Sequence, residues 1–376
     1  MNGGPEPLLA RLGLEESSYF VAQGYHRPFL DALLQEVPEA ELRRLAHLTF
    51  ALLKPDTVLS ARVRPALALL AQAGLEVVDL GVCLSTHPRQ FEELYKTNLT
   101  VYNQQNMVGA WWLNHQIYEL APVVTLLLAL PGEGAGDAQR RLAAVKGPSS
   151  PYLCQPDQLR ARLEASNRSI NLLHTADGPV SSAREYLLFQ PLSRLREALA
   201  RLDGGSGCRP FPASRLEAEL ATLPGAFVET DFLRVLTTLK ARLHKALLEQ
   251  GALAEEPQAS SLREQAAVAA GGEPLLERTR AYRELSHREL ASLGQLARTA
   301  SCPLLEAALS LADFDHLDLA VARSTVAAFR GAGLYLSAWE QLLLETSCYY
   351  LDDFLAGEPA GPSPRRSVDR APGMRR

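Results

Sequence analysis

The chain has 376 residues, which is long for one compact core and sufficient for two, and its 47% hydrophobic and 22% charged residues are ordinary for a globular protein. A net charge of -5 argues against a general nucleic-acid-binding protein, which usually carries a basic face, so no specific nucleic-acid partner is expected. The longest apolar run, Ala121 to Leu130, is shorter than the roughly 20 residues that a membrane-spanning helix needs. We therefore expect no membrane segment.

The compartment is predicted from the first residues and from the cysteines. Met1–Leu14 is too polar for a signal peptide, which requires an apolar stretch. The five cysteines lie far apart with no CxxC pair, unlike a disulfide framework or a structural zinc site. Free thiols in a reducing environment are the simplest interpretation, and a cytoplasmic protein is predicted.

Leucines at helical spacing are the first pattern along the chain. They occur in Pro28–Gln35 and Glu39–His47, with a break at Pro38. Residues 1–46 are therefore predicted to form a helical N-terminal extension.

Four short apolar segments bounded by turn or polar residues follow, and each has the length of a β-strand. These segments are Leu48–Leu53, Glu76–Val82, Val123–Leu130 and Ile170–Leu173. Amphipathic helices are predicted between them, at Ser60–Ala73, Pro88–Thr97, Met107–Tyr118 and Gly136–Lys146. This order predicts an α+β domain over residues 47–191, with a ferredoxin-like antiparallel sheet and helices on one of its faces.

Strand patterns stop after Pro191, and helical periodicity continues. The predicted helices are Leu192–Leu202, Asp231–Gln250, Glu273–Arg298, Pro303–Leu311, Leu317–Phe329 and Tyr335–Leu355. Stretches rich in Gly, Ser, Ala and Pro, Arg201–Phe211 and Leu253–Gly272, are interpreted as connections. We predict an all-helical domain over residues 192–355 and a disordered basic tail over residues 356–376.

Residues 313–318 contain three aspartates and a histidine and allow two interpretations. Such side chains can hold a divalent ion, or Asp315 or Asp318 can cap a helix. Capping is the commoner role of aspartate at a helix start, so we favour it and predict no protein-bound metal.

The chain lacks a GxxxxGK[ST] phosphate loop and the HExxH, GxSxG, HRD and DFG motifs. The remaining polar motifs are ordinary when taken singly. They are Lys54-Pro55-Asp56 at the end of the first strand, Tyr95 on a helix, the loop Gly147–Pro151, the Asn171-x-x-His174 strand, and Glu185 on the helix after Asp177-Gly178.

In this order, together with the strand that begins Ala121-Pro122-Val123-Val124, the motifs resemble the nucleoside diphosphate kinase family over residues 47–191. The resemblance implies the ferredoxin-like fold and transfer of the γ-phosphate of a nucleoside triphosphate to a nucleoside diphosphate. The nucleophile would be His174, because the family phosphorylates the histidine at this position. An unperturbed imidazole, with a pKa of about 6.5, is largely neutral at pH 7 and so nucleophilic.

The resemblance also implies roles for the neighbouring residues. Lys54 and Arg160 would offset phosphate charge, and Tyr95, Ser149 and Asn171 would donate hydrogen bonds to phosphate or sugar. Glu185 would hold the far nitrogen of the imidazole ring. Mg²⁺ would arrive on the nucleotide phosphates rather than in a protein site.

Three departures from the family pattern leave a second hypothesis open. Ala143 stands where the family has an arginine, with Arg140 and Arg141 displaced, and Ala176 replaces a serine. The base-stacking aromatic has no clear counterpart, Tyr102 being a candidate. The alternative is a weakly active or inactive nucleotide-binding or regulatory module whose helical half, residues 192–355, binds a protein partner or self-associates.

Overall fold

The computed structural model describes residues 7–16, 21, 24, 26–101, 111–203, 207–225, 227–253, 255–296 and 302–355. The predicted tail, 356–376, and Tyr102 lie outside the described residues. Four strands form one sheet: β1 (Leu48–Leu53), β2 (Glu76–Cys83), β3 (Val123–Ala129) and β4 (Leu173–Thr175). Their order is β2-β3-β1-β4 and each neighbouring pair is antiparallel, so the predicted α+β class is confirmed for this part of the chain.

Helices precede the sheet and connect its strands. They are α1 (Pro7–Leu12), α2 (His26–Glu36), α3 (Glu39–Leu42), α4 (Pro55–Leu59), α5 (Val63–Gln72), α6 (Pro88–Val101), α7 (Trp111–Leu120), α8 (Asp137–Lys146), α9 (Leu159–Arg162) and α10 (Pro179–Tyr186). Single 3-10 turns occur at Arg43–His47 and Pro151–Leu153.

The prediction of helices on one face of the sheet is wrong, because helices cover both faces. Ala51 and Leu53 of β1 share a core with α5 and α8. Phe50 and Leu52 share a second core with the N-terminal helices and α10. All residues of β1 and β3 are buried, which matches their unbroken apolar sequences, since a strand with one solvated face would alternate.

The fourth strand was predicted at Ile170–Leu173 and is observed at Leu173–Thr175. The difference arises at Leu172, whose φ of 77° turns the backbone out of the extended conformation. Residue Ile170 is buried in a helical core instead of the sheet. His174 consequently lies within the strand, opposite Leu52 of β1.

After residue 191 the described residues form helices and one isolated bridge, between Leu202 and Cys208. The helices are α11 (Leu192–Ala200), α12 (Ala213–Leu220), α13 (Phe232–Glu249), α14 (Glu255–Ala270), α15 (Leu275–Leu296), α16 (Pro303–Ala312), α17 (Leu319–Gly331), α18 (Ala338–Tyr349) and α19 (Asp352–Leu355), with a 3-10 turn at Phe314–His316. Helices α11 and α12 pack on the α/β part: Leu195 and Leu199 join the core around Phe50, and Leu220 joins the one around Leu53. The domain boundary at residue 191 therefore stays a prediction.

We call helices α13 to α19, residues 232–355, the helical bundle. Its core also includes Leu113 and Ile117 of α7 and Ile170 from the segment before β4. The bundle therefore packs directly on the α/β part.

Helix α14 was predicted to be part of a connection, and this interpretation is wrong. Its sequence combines alanines, which favour helix, with serines and a proline, and it lacks a clear apolar stripe. At residues 313–318, Asp318 caps α17 by accepting from the Val321 N–H at 2.8 Å, as the capping interpretation predicted. Asp315 instead forms an ion pair with Arg283.

None of the described helices is both long and apolar enough to cross a membrane.

Candidate active site

His174 and Glu185 form a close pair at the edge of the sheet. The His174 Nε2 lies 2.7 Å from Glu185 Oε2, and their side chains are 14% and 8% exposed. Glu185 reaches this position because α10 packs on β1, where the Ser182 hydroxyl accepts from the Phe50 N–H at 3.2 Å. The His174 Nδ1 has no hydrogen bond to the part of the chain that the structure describes, so this nitrogen can react with an electrophile.

A tight turn at Leu172 sets the direction in which β4 leaves the preceding segment. The Leu173 N–H donates to the Asn171 carbonyl at 3.0 Å, around a Leu172 φ of 77°. A non-glycine residue in this region costs on the order of 1–3 kcal/mol and persists only where its surroundings hold it. The Leu172 N–H donates to Asp56 Oδ2 at 2.7 Å, and its carbonyl accepts from the Lys54 N–H at 2.9 Å and from the Thr57 hydroxyl. The Lys54-Pro55-Asp56 motif thus fixes the backbone that presents Asn171 and His174.

Lys54 lies beside this turn, and the residue is 2% exposed. It donates to the Ser169 carbonyl and to Asn171 Oδ1 at 3.1 Å. Burial lowers the pKa of Lys54 to about 8, although Asp56 partly opposes this shift. The cation therefore holds the segment that leads into the turn, at Ser169 and Asn171.

Arg160 ties the same segment to the loop before the 3-10 turn. Its Nε donates to the Asn171 carbonyl at 3.0 Å, and its two terminal nitrogens donate to the carbonyls of Gly147 and Leu173, both at 2.9 Å. Burial lowers the pKa of Arg160 to about 10. A guanidinium has five N–H groups, so these three bonds use all but two of them.

Tyr95 of α6 forms the other side of the site. Its ring lies edge-on to the His174 ring, with centroids 5.2 Å apart, and its hydroxyl is 2.9 Å from the Tyr118 hydroxyl. Burial raises the pKa of Tyr95, so its hydroxyl keeps its proton. The structure therefore brings together His174, Glu185, Tyr95, Lys54, Asn171 and Arg160.

Comparison with known proteins identifies this part of the chain. A nucleoside diphosphate kinase from Moorella thermoacetica is 30% identical over 141 residues, which are 38% of this chain and 91% of that protein. The chain belongs to the nucleoside diphosphate kinase family. Solved nucleoside diphosphate kinases from Aquifex aeolicus and Pyrobaculum aerophilum are 23% and 19% identical, cover 39% of this chain and 96% and 97% of their own chains, and both align with a TM-score of 0.32. No protein-family model matches the chain.

Two positions of the nucleoside diphosphate kinase domain stand apart from the assembled residues. Ser149 is exposed on the loop that Arg160 holds through Gly147. Ala143 is exposed on α8, and Arg140 of the same helix pairs with Asp137 at 2.6 Å. Arg140 is therefore engaged in an ion pair on the surface of α8.

Lys146 was not identified from the sequence, although it lies close to the assembled residues. Its Nζ donates to the Thr175 hydroxyl at 2.5 Å, one residue after His174. Burial lowers the pKa of Lys146 to about 8, and the positive charge of Arg160 adds to this shift. Its only sequence signal was its place directly before Gly147, at the C-terminus of a helix where lysines are common.

Glu16 was missed for a different reason, because it lies outside the family domain. Its carboxylate accepts from the N–H groups of Val180 and Ser181, at 2.8 and 3.1 Å, and from the Ser181 hydroxyl at 2.9 Å. These contacts cap the first turn of α10, the helix that carries Glu185. A Cβ added to Gly178 would overlap the Glu16 carboxylate, which would then have to move.

Proposed function

We propose that the protein transfers the γ-phosphate of a nucleoside triphosphate to a nucleoside diphosphate through a phosphohistidine at Nδ1 of His174. The observation that carries this proposal is the His174–Glu185 pair within a nucleoside diphosphate kinase domain. Its contact at Nε2 leaves Nδ1 available beside Tyr95.

The reaction would consist of two displacements. The Nδ1 lone pair forms a bond to the γ-phosphorus, and the bond from phosphorus to the bridging oxygen breaks, so the diphosphate leaves with the electron pair. A terminal oxygen of the second diphosphate then attacks the same phosphorus, and the electron pair of the P–N bond returns to Nδ1. While phosphorylated, the ring gains positive charge, which the Glu185 carboxylate at Nε2 offsets.

Phosphate binding would fall to the cations and hydroxyls around the nucleophile. Lys54 and Arg160 would offset phosphate charge, and Tyr95, Ser149 and Asn171 would donate hydrogen bonds. Among the described residues no group of three or more His, Cys, Asp or Glu side chains could hold a metal ion. As the family resemblance implies, Mg²⁺ would enter as part of the nucleotide substrate, on its phosphates.

Incubation with γ-³²P-labelled ATP tests the proposal. Acid-labile, base-stable label is expected on His174, and His174→Ala should abolish it. His316→Ala is the matched control, because that side chain is 70% exposed in the helical bundle. Label that survives in His174→Ala would place the nucleophile elsewhere.

A nucleotide-binding module with little turnover is the second candidate. It is favoured by the engagement of Lys54 and Arg160 with backbone carbonyls, and by Ala143 and Ala176. This candidate predicts a nucleotide-dependent rise in melting temperature without label on His174. The helical half would then bind a protein partner or self-associate, and the oligomeric state with and without nucleotide would report the second case.

A further inference from the structure

The segment before β4 contacts the helical bundle on one side and the candidate site on the other. Asn167 connects these two sides. Its Nδ2 donates to the hydroxyls of Thr346 and Ser347 in α18, at 3.1 and 2.9 Å. Its Oδ1 accepts from the N–H groups of Ser169 and Ile170, both at 2.8 Å. One buried amide therefore shapes the turn and attaches it to the bundle.

The segment that Asn167 shapes also binds Lys54. The Ser169 carbonyl and the Asn171 side chain are the two acceptors of the Lys54 ammonium. Arg168 pairs with Asp353 of α19 at 2.6 Å, and Ile170 is fully buried in the core of the bundle. Residues 167–170 are thus each fastened to the bundle, directly or through Asn167.

A second contact reaches the opposite side of the site. Trp112 of α7 packs edge-on against Tyr349 of α18, with ring centroids 5.9 Å apart. Further along α7, Tyr118 meets the Tyr95 hydroxyl. The bundle therefore contacts α7, which carries Tyr118, as well as residues 167–170, which precede the turn at Leu172.

From these contacts we propose that the helical bundle is a positioning element of the phosphoryl-transfer site, with Asn167 as the positioning residue through which Thr346 and Ser347 fix Lys54 and Asn171. The inference rests on the proposed function, in which Lys54 and Asn171 contact phosphate. None of the bundle residues touches the reacting atoms in this scheme. Their effect passes through the placement of a buried cation.

The ionisation of Lys54 reports its placement without any need for turnover. In the intact turn the ammonium is buried, with Asp56 and Arg160 as its charged neighbours, and its pKa is lowered to about 8. If the turn loosens, water reaches the ammonium and its pKa returns toward about 10.4, the ordinary value for lysine. The chain has only five lysines, at positions 54, 96, 146, 240 and 245, so a protein with ¹³C-labelled lysine gives a readable NMR titration.

The experiment compares the double variant Thr346→Val/Ser347→Ala with Thr325→Val. Thr325 is the matched control, because it is a buried threonine of the bundle whose hydroxyl has no hydrogen bond among the described residues. Lys54→Arg and Lys146→Arg assign the two signals that titrate near the same pH. In the double variant we expect the Lys54 midpoint to rise by about one pH unit or more and the KM for ATP to rise about tenfold, while Thr325→Val changes neither.

A second variant, Ser347→Ala alone, removes only one of the two acceptors of the Asn167 amide and should move the Lys54 midpoint in the same direction by a smaller amount. It replaces the double variant if that variant does not fold. A Lys54 midpoint that is equal in the folded variants and in Thr325→Val overturns the inference, as does a shifted midpoint with an unchanged KM. A wild-type protein that neither binds ATP nor becomes labelled overturns the proposed function instead. In that case the Lys54 titration alone decides whether the bundle positions this residue.

Discussion

Lys54 directly follows β1 and His174 lies opposite on β4, yet the two side chains are held very differently. His174 is partly exposed, and one ring nitrogen has no hydrogen bond among the described residues while the other is bound to Glu185. Lys54 is buried, and its ammonium is already bonded to a carbonyl and to Asn171. The proposed nucleophile thus has a ring nitrogen available, whereas the nearby cation also holds the fold together. Substitutions on the two sides should therefore have different consequences.

Removal of the Lys54 cation should have the largest effect. In Lys54→Met the carbonyl of Ser169 and the Asn171 side chain lose their donor, and the site loses a charge directed at phosphate. We expect the rate of His174 labelling to fall by about 10²–10³, the usual effect of losing one preorganised donor to a transferring group. The measurement is the initial rate of label incorporation, with folded protein verified by thermal unfolding.

A Lys54→Met variant with unchanged stability and an unchanged labelling rate would show that Lys54 serves neither purpose. His174→Ala provides the contrast, because it should abolish labelling with little change in melting temperature.

Glu185→Gln tests the residue that contacts the proposed nucleophile. The amide can still contact Nε2, but it cannot offset the positive charge of the phosphorylated ring. We expect a fall of about 10–100-fold in labelling rate, as for other residues that support a reacting histidine. Glu119→Gln is the control, because that carboxylate is 54% exposed on α7. Equal rates in the two variants would exclude the proposed role of Glu185.

The pH dependence of the labelling rate distinguishes a buried lysine with a lowered pKa from an exposed lysine. Since burial lowers the pKa of Lys54 to about 8, its positive charge is present below that pH and is lost above it. Labelling should therefore decline through about pH 8, approaching a tenfold loss per unit at higher pH, rather than near pH 10. Lys146 titrates in the same range, so the profile of Lys146→Met must keep this decline if Lys54 is its source. A profile that is flat to pH 10 would contradict the assignment.

The smallest effect that we expect is an increase in the labelling rate. Ala143→Arg restores a cation on the exposed surface of α8, and one charge-assisted contact of about 1.5 kcal/mol would raise the labelling rate about tenfold. Ala144→Arg places the same charge on the adjacent exposed position and should leave the rate unchanged. Equal rates in the two variants would show that residue 143 does not face the phosphate.

Local sequence patterns predicted those parts of the molecule that depend on local chemistry. The apolar strands β1 to β3, the proline and aspartate after Lys54, and the eleven-residue spacing from His174 to Glu185 were all readable. The γ-turn at Leu172 was not, because leucine carries no signal for a positive φ. The observed fourth strand therefore begins at Leu173, whereas the predicted one began at Ile170.

The contacts with the helical bundle could not be predicted for a different reason. Asn167 and Ser347 are 180 positions apart, and neither lies in a recognisable motif. Lys54 looked like an ordinary lysine at a strand end, and its burial depends on the turn that these distant residues fasten. Periodicity identifies which helices exist, but the partner of each helix face is decided by packing.

The contact between Glu16 and the first turn of α10 has a practical consequence for anyone who shortens this protein. A chain that starts at residue 47 would keep every candidate catalytic residue, yet it would lose the carboxylate that caps α10 and the Leu30 and Leu42 side chains of the core around Phe50. The uncovered helix start, close to His174, would then attract buffer anions such as sulfate or phosphate. Assays on such a fragment would report a protein with a weakened core and would underestimate any activity of the full chain.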